Sequence, residues 1–241
     1  MGEGTVYQEY YEENRLWEIQ EAVDDLLSGV PYPRILDAGC GGAEHVRFKP
    51  GSHIVGMDIS QEQLDRNKAI SQSILGDVQT FDLSGYQFDA IICHFLLEHL
   101  ENPQLALRNL CCGLSPGGIM IIVAPSVLSP SNLVAKFTPL WFHTLVYRYV
   151  FGDKRAGMEG RGPFPTPMRL SMSYSRVLCF AADNGFSVEY SRLYQGYQTW
   201  WLRRRYRLAR VILMVLRALT RWLSLGRADV FLSTYVVVMR R

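Results

Sequence analysis

The chain has 241 residues, 48% of them hydrophobic and 20% charged, enough for one sizeable domain and short for two. That composition excludes a disordered chain, a collagen and a disulfide-stapled mini-protein. Lysine and arginine (25) nearly balance aspartate and glutamate (23), which speaks against a nucleic-acid binder. The balance is uneven along the chain. Residues 1–27 hold eight acids and one base, and residues 196–241 hold ten bases and one acid. The split predicts a basic C-terminal surface with a partner of its own. Cys40, Cys93, Cys111, Cys112 and Cys179 form no CxxC pair, so neither a zinc site nor any other metal is expected. The acidic N-terminus lacks the apolar core of a signal peptide. Free thiols in the cytoplasm are the simplest expectation.

In chain order, residues 5–28 read as one amphipathic helix, with Leu16, Ile19, Val23, Leu26 and Leu27 at helical spacing, ended by Gly29 and Pro31. Short apolar runs follow. Strands are predicted at 34–37, 54–58, 74–77, 88–95 and 119–124, with helices at 61–71 and 102–114. Runs of Ile and Val without alternation mark strands buried on both faces, as in a parallel sheet wrapped by helices. Residues 30–125 therefore read as an open, doubly wound α/β unit. After Pro125 the chain becomes aromatic and rich in proline and glycine. A helix is predicted over 136–151, a glycine- and proline-rich loop over 155–168, a helix over 173–184, and strands at 186–193 and 229–239.

The segment with the most chemical information is Ile35-Leu36-Asp37-Ala38-Gly39-Cys40-Gly41-Gly42. A strand runs into a turn with glycines at alternate positions, where the backbone can turn freely and a ligand can approach closely. Asp37 suits a cation better than a phosphate. Asp58 closes the next strand, where a carboxylate can accept both hydroxyls of a ribose.

With LDAGCGG (36–42), GMDIS (56–60), GDVQTF (76–81), FDAIICHFLLEHL (88–100) and LSPGGIMIIVAP (114–125) in this order, the chain resembles the class I S-adenosylmethionine-dependent methyltransferases. It looks closest to the branch with the ubiquinone/menaquinone and natural-product methyltransferases. The resemblance covers roughly residues 30–125. It implies a seven-stranded, mostly parallel Rossmann-like sheet and S-adenosyl-L-methionine as cofactor. It further implies cofactor contacts at Asp37, Gly39, Cys40, Gly41, Asp58, Ile59, Asp77, Val78 and His94. In that family an N-terminal helix often covers the pocket, which makes Arg15 and Tyr11 candidates for the methionine carboxylate. Two departures are present: Ala43 replaces a third glycine, and the short segment 43–52 leaves a stunted first helix.

Transfer to a weakly acidic oxygen would need a general base. His99 with Glu98, in the turn after the fourth strand, and His143, in the aromatic stretch, are the candidates. Glu98 and His99 read equally well as a structural hydrogen-bonded pair. The organisation expected is an N-terminal cap (1–29), a cofactor-binding core (30–125), a substrate-covering insert (126–172) and an amphipathic insertion (197–227). In the last, Arg203, Arg207, Arg210, Arg217 and Arg221 share one helical face of 200–225 and aliphatics cover the rest. Arginines interrupt this run too often for a transmembrane span. An in-plane helix on an anionic membrane fits it, as do packing on its own domain and a dimer interface. The expected activity is methylation of a lipophilic small molecule, on oxygen first and carbon next, by a peripherally membrane-bound enzyme. The alternative is a cofactor-binding scaffold or rearrangement enzyme that does not methylate.

Overall fold

Seven strands form the centre of the computed structural model, which describes residues 3–41, 48–127, 129–158, 162–226 and 229–241. They are β1 (Arg34–Ala38), β2 (His53–Asp58), β3 (Gln72–Leu75), β4 (Phe88–His94), β5 (Leu114–Pro125), β6 (Ser187–Gln195) and β7 (Leu232–Arg240). Their order in the single sheet is β3-β2-β1-β4-β5-β7-β6. The pairs among β1–β5 are parallel, and β7 runs antiparallel between β5 and β6. This is the doubly wound, mostly parallel seven-stranded sheet that the motifs implied.

Side chains alternate across the sheet and both faces are buried, as the unbroken apolar runs predict. Leu36, Met57, Ile91, Met120, Ile122 and Tyr235 lie in one core with α4 (Pro103–Gly113) and α7 (Tyr174–Asp183). Ile35, Ala90, Ile92, Ile121, Val236 and Val238 lie in the other, beneath the N-terminal helices and Trp200. Local signals set the helix ends. Ser60 Oγ accepts from Gln63 N at 3.4 Å ahead of α3 (Gln61–Arg66), which is shorter than the helix expected over 61–71. Asn102 accepts from Leu105 N at 3.1 Å ahead of Pro103. Beyond α7, Gly185 takes a φ of 73° and Phe186 N reaches back to Ala181 O at 2.9 Å.

The single helix expected over 5–28 is two, α1 (Glu3–Glu13) and α2 (Trp17–Leu26). The Asn14 side chain bonds the Tyr10 carbonyl at 3.0 Å, and Arg15 turns left-handed with a φ of 52°. Tyr10 and Val23 thereby both join the second core. The helix expected over 200–225 is likewise two, α8 (Tyr197–Arg205) and α9 (Arg207–Leu223), separated by Tyr206 in extended conformation. The break lets α8 bury Trp200 while no residue of α9 is buried. The helix expected over 136–151 is also divided, into α5 (Pro130–Phe137) and α6 (Leu140–Tyr149) around Pro139.

The charge split has an internal component. Glu9 pairs with Arg204, Glu13 with Arg203 at 2.6 Å, and Glu18 with Arg192 at 2.7 Å. The acidic N-terminal helices thus dock on the basic C-terminal part, and only the remaining arginines are left for a separate partner. Trp200 anchors this junction. It is fully buried, stacks with Tyr197 and donates its indole N–H to Glu13. Trp200→Phe removes that hydrogen bond and some contact area, and is expected to cost about 1–2 kcal/mol in urea unfolding.

Candidate active site

The strand order reverses at β1, with β2 and β3 on one side and β4 and β5 on the other. A crevice therefore opens beyond the carboxyl ends of β1 and β4. The turn leaving β1 is built by its glycines. Gly39 has a φ of 67° and Gly41 one of 51°, and a Cβ on Gly39 would lie 2.6 Å from Leu96 Cδ1. Gly39 N and Cys40 N both donate to Met57 O, at 2.7 and 3.2 Å, which ties the turn to the end of β2. Asp58 completes the junction. Its Oδ2 accepts from Gly41 N at 3.1 Å and its Oδ1 from Ser60 N at 2.9 Å. Gly39, Gly41 and Asp58 are thus brought together.

Asp37 is almost fully buried and its Oδ1 has no hydrogen-bond partner. Burial, and then the charge of Asp58, push its carboxyl up to about 7. A buried, unsatisfied acid at a crevice suits a cationic ligand, whose charge would favour the ionised form. Cys40 is buried as well, its thiol pushed up to about 12 by burial and by the charges of Asp37 and Asp58. Only its backbone can serve a ligand. Ile59, next to Asp58, is 75% exposed.

Asp77 lies in the turn after β3. Its Oδ1 accepts from Gln79 N at 2.8 Å, and the Gln79 side-chain amide spans both carboxylate oxygens at 3.2 and 3.1 Å. Val78 is buried, with its carbonyl taken by Asn109 at 2.8 Å. His94 ends β4, half-buried, edge-on to an exposed Phe95. Three residues of the crevice escaped the sequence reading. Gln79 carries the Asp77 contact, Asn67 clamps Gly41 O at 3.3 Å, and Phe95 projects at the strand tip. No spacing or composition signal marks them. Ala43 and the start of the stunted segment expected over 43–52 lie outside the described residues, and its end, 48–52, is a turn closed by Ser52 N on Lys49 O at 3.2 Å.

Arg15 and Tyr11 are placed at the N-terminal cap. Arg15 pairs with Glu18 at 2.5 Å and lies over the Trp17 ring. Tyr11 packs against the second core. Glu18 also accepts from Arg192 and Tyr190, so this corner is tied to β6.

Glu98 and His99 part company, because successive side chains of the short 3-10 turn Leu97–His99 diverge by a third of a revolution. Glu98 turns inward and is buried, with Oε2 unpartnered. Burial pushes its carboxyl up to about 8. His99 is half-buried, and its hydrogen bond goes from Nδ1 to Pro165 O at 2.8 Å rather than to Glu98. A carbonyl only accepts, so Nδ1 carries the proton and, in the neutral ring, Nε2 keeps its lone pair. The edge of the ring meets Phe164. His143 Nε2 is engaged by Thr138 Oγ1 at 2.6 Å, a contact within the insert.

The insert returns to the crevice at this turn. Met168 N bonds Glu98 O at 3.2 Å, Arg169 pairs with Glu101, and Lys136 Nζ reaches Met168 O at 3.2 Å. The far end of α6 leans on α8 through Phe151 and Trp201. Much of the aromatic surface remains uncovered, with Phe137 78%, Trp141 64% and Tyr149 80% exposed.

The raised Glu98 carboxyl has a consequence for stability. Folded, it keeps its proton to about pH 8; unfolded, it loses it near about pH 4. Its contribution is complete below about pH 4 and is lost as the pH rises through about 8. Glu98→Gln is expected to raise the urea midpoint at alkaline pH and leave it nearly unchanged at acid pH.

Comparison with known proteins bears on the same region. Residues 36–122 match the family described as methyltransferase domain. The ubiquinone biosynthesis O-methyltransferase of Coxiella burnetii (strain RSA 331 / Henzerling II) is 27% identical over 146 residues, covering 57% of this chain and 59% of that protein. The chain thus spans under two thirds of the length of that relative. Among solved structures, a SAM-dependent methyltransferase from Archaeoglobus fulgidus superposes with a TM-score of 0.53 at 17% identity, over 98% of this chain and 99% of the other. The [4+2]-cyclase SpnF gives a TM-score of 0.56 at 16% identity, over 93% and 80%. These likenesses establish the fold.

Proposed function

We propose that the chain, whose residues 36–122 match the methyltransferase-domain family, is a class I S-adenosylmethionine-dependent methyltransferase that methylates a lipophilic small molecule, with a hydroxyl oxygen as the favoured acceptor atom and carbon next. The observation that carries this reading is the junction of Gly39, Gly41 and Asp58 beside the buried, unsatisfied Asp37. The acceptor atom takes support from the name of the ubiquinone relative and from His99. The lipophilic character of the acceptor takes support from the aromatic insert, since small-molecule pockets are largely apolar.

When bound, the cofactor supplies a methyl group on a cationic sulfur, already activated for in-line displacement. The chain has to hold, align and deprotonate. Asp58 would accept the ribose hydroxyls, and Gly39 and Gly41 leave room for the nucleoside. Asp37 would answer the positive charge. Asp77 would receive the adenine amino group, with the Gln79 amide giving way to it. Ile59 and Val78 flank these acids, and His94 closes the crevice at β4. His99, held by Pro165 in the tautomer with a free Nε2, would take the proton of the acceptor hydroxyl. The insert, fastened at Met168, would keep water out. Alignment of this kind supplies several kcal/mol of the barrier reduction.

We further propose that residues 200–225 associate with an anionic membrane surface. No described helix is long and apolar enough to cross a membrane.

Calorimetry with S-adenosylmethionine, then release of S-adenosylhomocysteine with a panel of alkyl- and prenyl-substituted phenols, tests the reading. Absence of cofactor binding overturns it. Binding without turnover on any acceptor favours the non-methylating alternative. Asp37 adds a pH signature. Its carboxyl titrates at about 7, and a cation binds the ionised form better. Affinity is expected to climb between about pH 6 and 8 and then level off, and Asp37→Asn should flatten the profile at the lower affinity.

A further inference from the structure

Helix α9 buries none of its residues and leans on the domain by the strip of Ala209, Leu213, Arg217 and Thr220. Arg207 and Arg210 stay exposed, and the end of the arginine row is drawn to the body by one carboxylate. Arg217 Nε donates to Asp229 Oδ2 at 2.8 Å, Arg221 pairs with the same oxygen at 3.3 Å, and Arg217 lies 4.7 Å over the Phe231 ring. The opposite side turns outward. Leu208 is 73% exposed and Trp222 75%, with Val211, Val215, Leu219 and Leu223 exposed between them. Single exposed apolar residues are ordinary, whereas a continuous helical face of them marks a surface that something covers.

Charge selects what covers it. Residues 197–226 contain no acid. Among the described residues, Arg205, Arg207 and Arg210 form no ion pair, whereas Arg203, Arg204, Arg217 and Arg221 do. A second copy of this helix would bring further arginines alongside and no carboxylate to meet them. An anionic bilayer meets both demands at once. Behind the helix, Arg203, Met214, Arg217, Ala218, Arg221 and Phe231 line a cleft of about 400 Å³. Arg203 Nε is buried there without a hydrogen-bond partner. A helix lying at the acyl boundary carries its opposite face at the depth of the phosphates.

We propose that α9 is a bilayer-docking helix. Its outward face enters the acyl boundary of an anionic membrane, and the arginine cleft behind it receives the phosphate of a lipid headgroup. The Asp229 carboxylate is the pivot, since it fixes which side of the helix looks outward. This rests on the membrane association proposed above and assigns it to one face and one cleft.

Flotation of the full chain tests it, with phosphatidylcholine vesicles lacking or containing phosphatidylglycerol. The wild-type protein is expected to float with the anionic vesicles at least about tenfold better than with the neutral ones. The double variant Leu208→Glu/Val215→Glu should lose flotation, with its unfolding midpoint and its S-adenosylmethionine binding unchanged. Arg221→Gln should weaken flotation on anionic vesicles severalfold and leave cofactor binding intact. A wild-type chain that fails to float overturns the membrane reading as a whole. Flotation that the double variant retains overturns the assignment to α9 and leaves that reading standing. Wild-type self-association that the double variant abolishes, without vesicle binding, identifies a second copy as the occupant and overturns the proposal.

Discussion

Asp58→Ala is expected to weaken S-adenosylmethionine binding by about a hundredfold or more, because two charge-assisted hydrogen bonds to ribose hydroxyls contribute about 1.5–3 kcal/mol each. The loss has a second source in this chain. The carboxylate also accepts from Gly41 N and Ser60 N, so its removal loosens the glycine turn that it holds against β2. Asp58→Asn separates the two contributions. The amide keeps one acceptor and the shape of the residue but lacks the charge, so its loss should be intermediate. Calorimetry gives the affinities, and urea unfolding shows whether the turn alone has changed. An alanine variant that binds within about threefold of wild type removes Asp58 from the cofactor site.

His99→Gln is expected to lower kcat on a hydroxyl acceptor by about 10²–10⁴, the usual range for loss of a general base. Glutamine retains an N–H that can reach the Pro165 carbonyl, so the strap over the turn should stay in place. Cofactor affinity should therefore be unaffected. Imidazole added to the assay should restore part of the rate if His99 moves a proton, and none if it only positions the insert. An unchanged kcat, or a fall matched by lost cofactor binding, removes the general-base role.

The sheet was legible because its signal is local. Ile119–Ala124 and Ala90–Cys93 are apolar at every position, the pattern of strands covered on both faces. The glycine turn and Asp58 were legible for the same reason, since the residues that make the junction lie at the ends of recognisable strands. What was not legible depends on contacts across the chain. The break at Arg15 follows from Tyr10 and Val23 needing one core, and the break at Tyr206 from α8 burying Thr199 and Trp200 where α9 buries nothing. The separation of Glu98 from His99 comes from a 3-10 turn that a two-residue pattern does not reveal, and the tautomer of His99 from a carbonyl 66 positions away. Likewise the spacing groups the arginines of α9 on one side, but that Arg217 and Arg221 turn to the body while Arg207 and Arg210 do not is decided by Asp229.

The position of β7 bears on how the molecule is made. It lies between β5 and β6, nearly buried along its whole length, although it follows both in the chain. Until it emerges from the ribosome, β5 presents an open apolar edge and β6 has no strand to pair with. The nascent protein therefore passes through a long interval with a sticky unfinished sheet, a state that invites aggregation and chaperone capture. Substitutions in Val236–Val238 should act first on yield during synthesis, before any effect on the purified protein is measured.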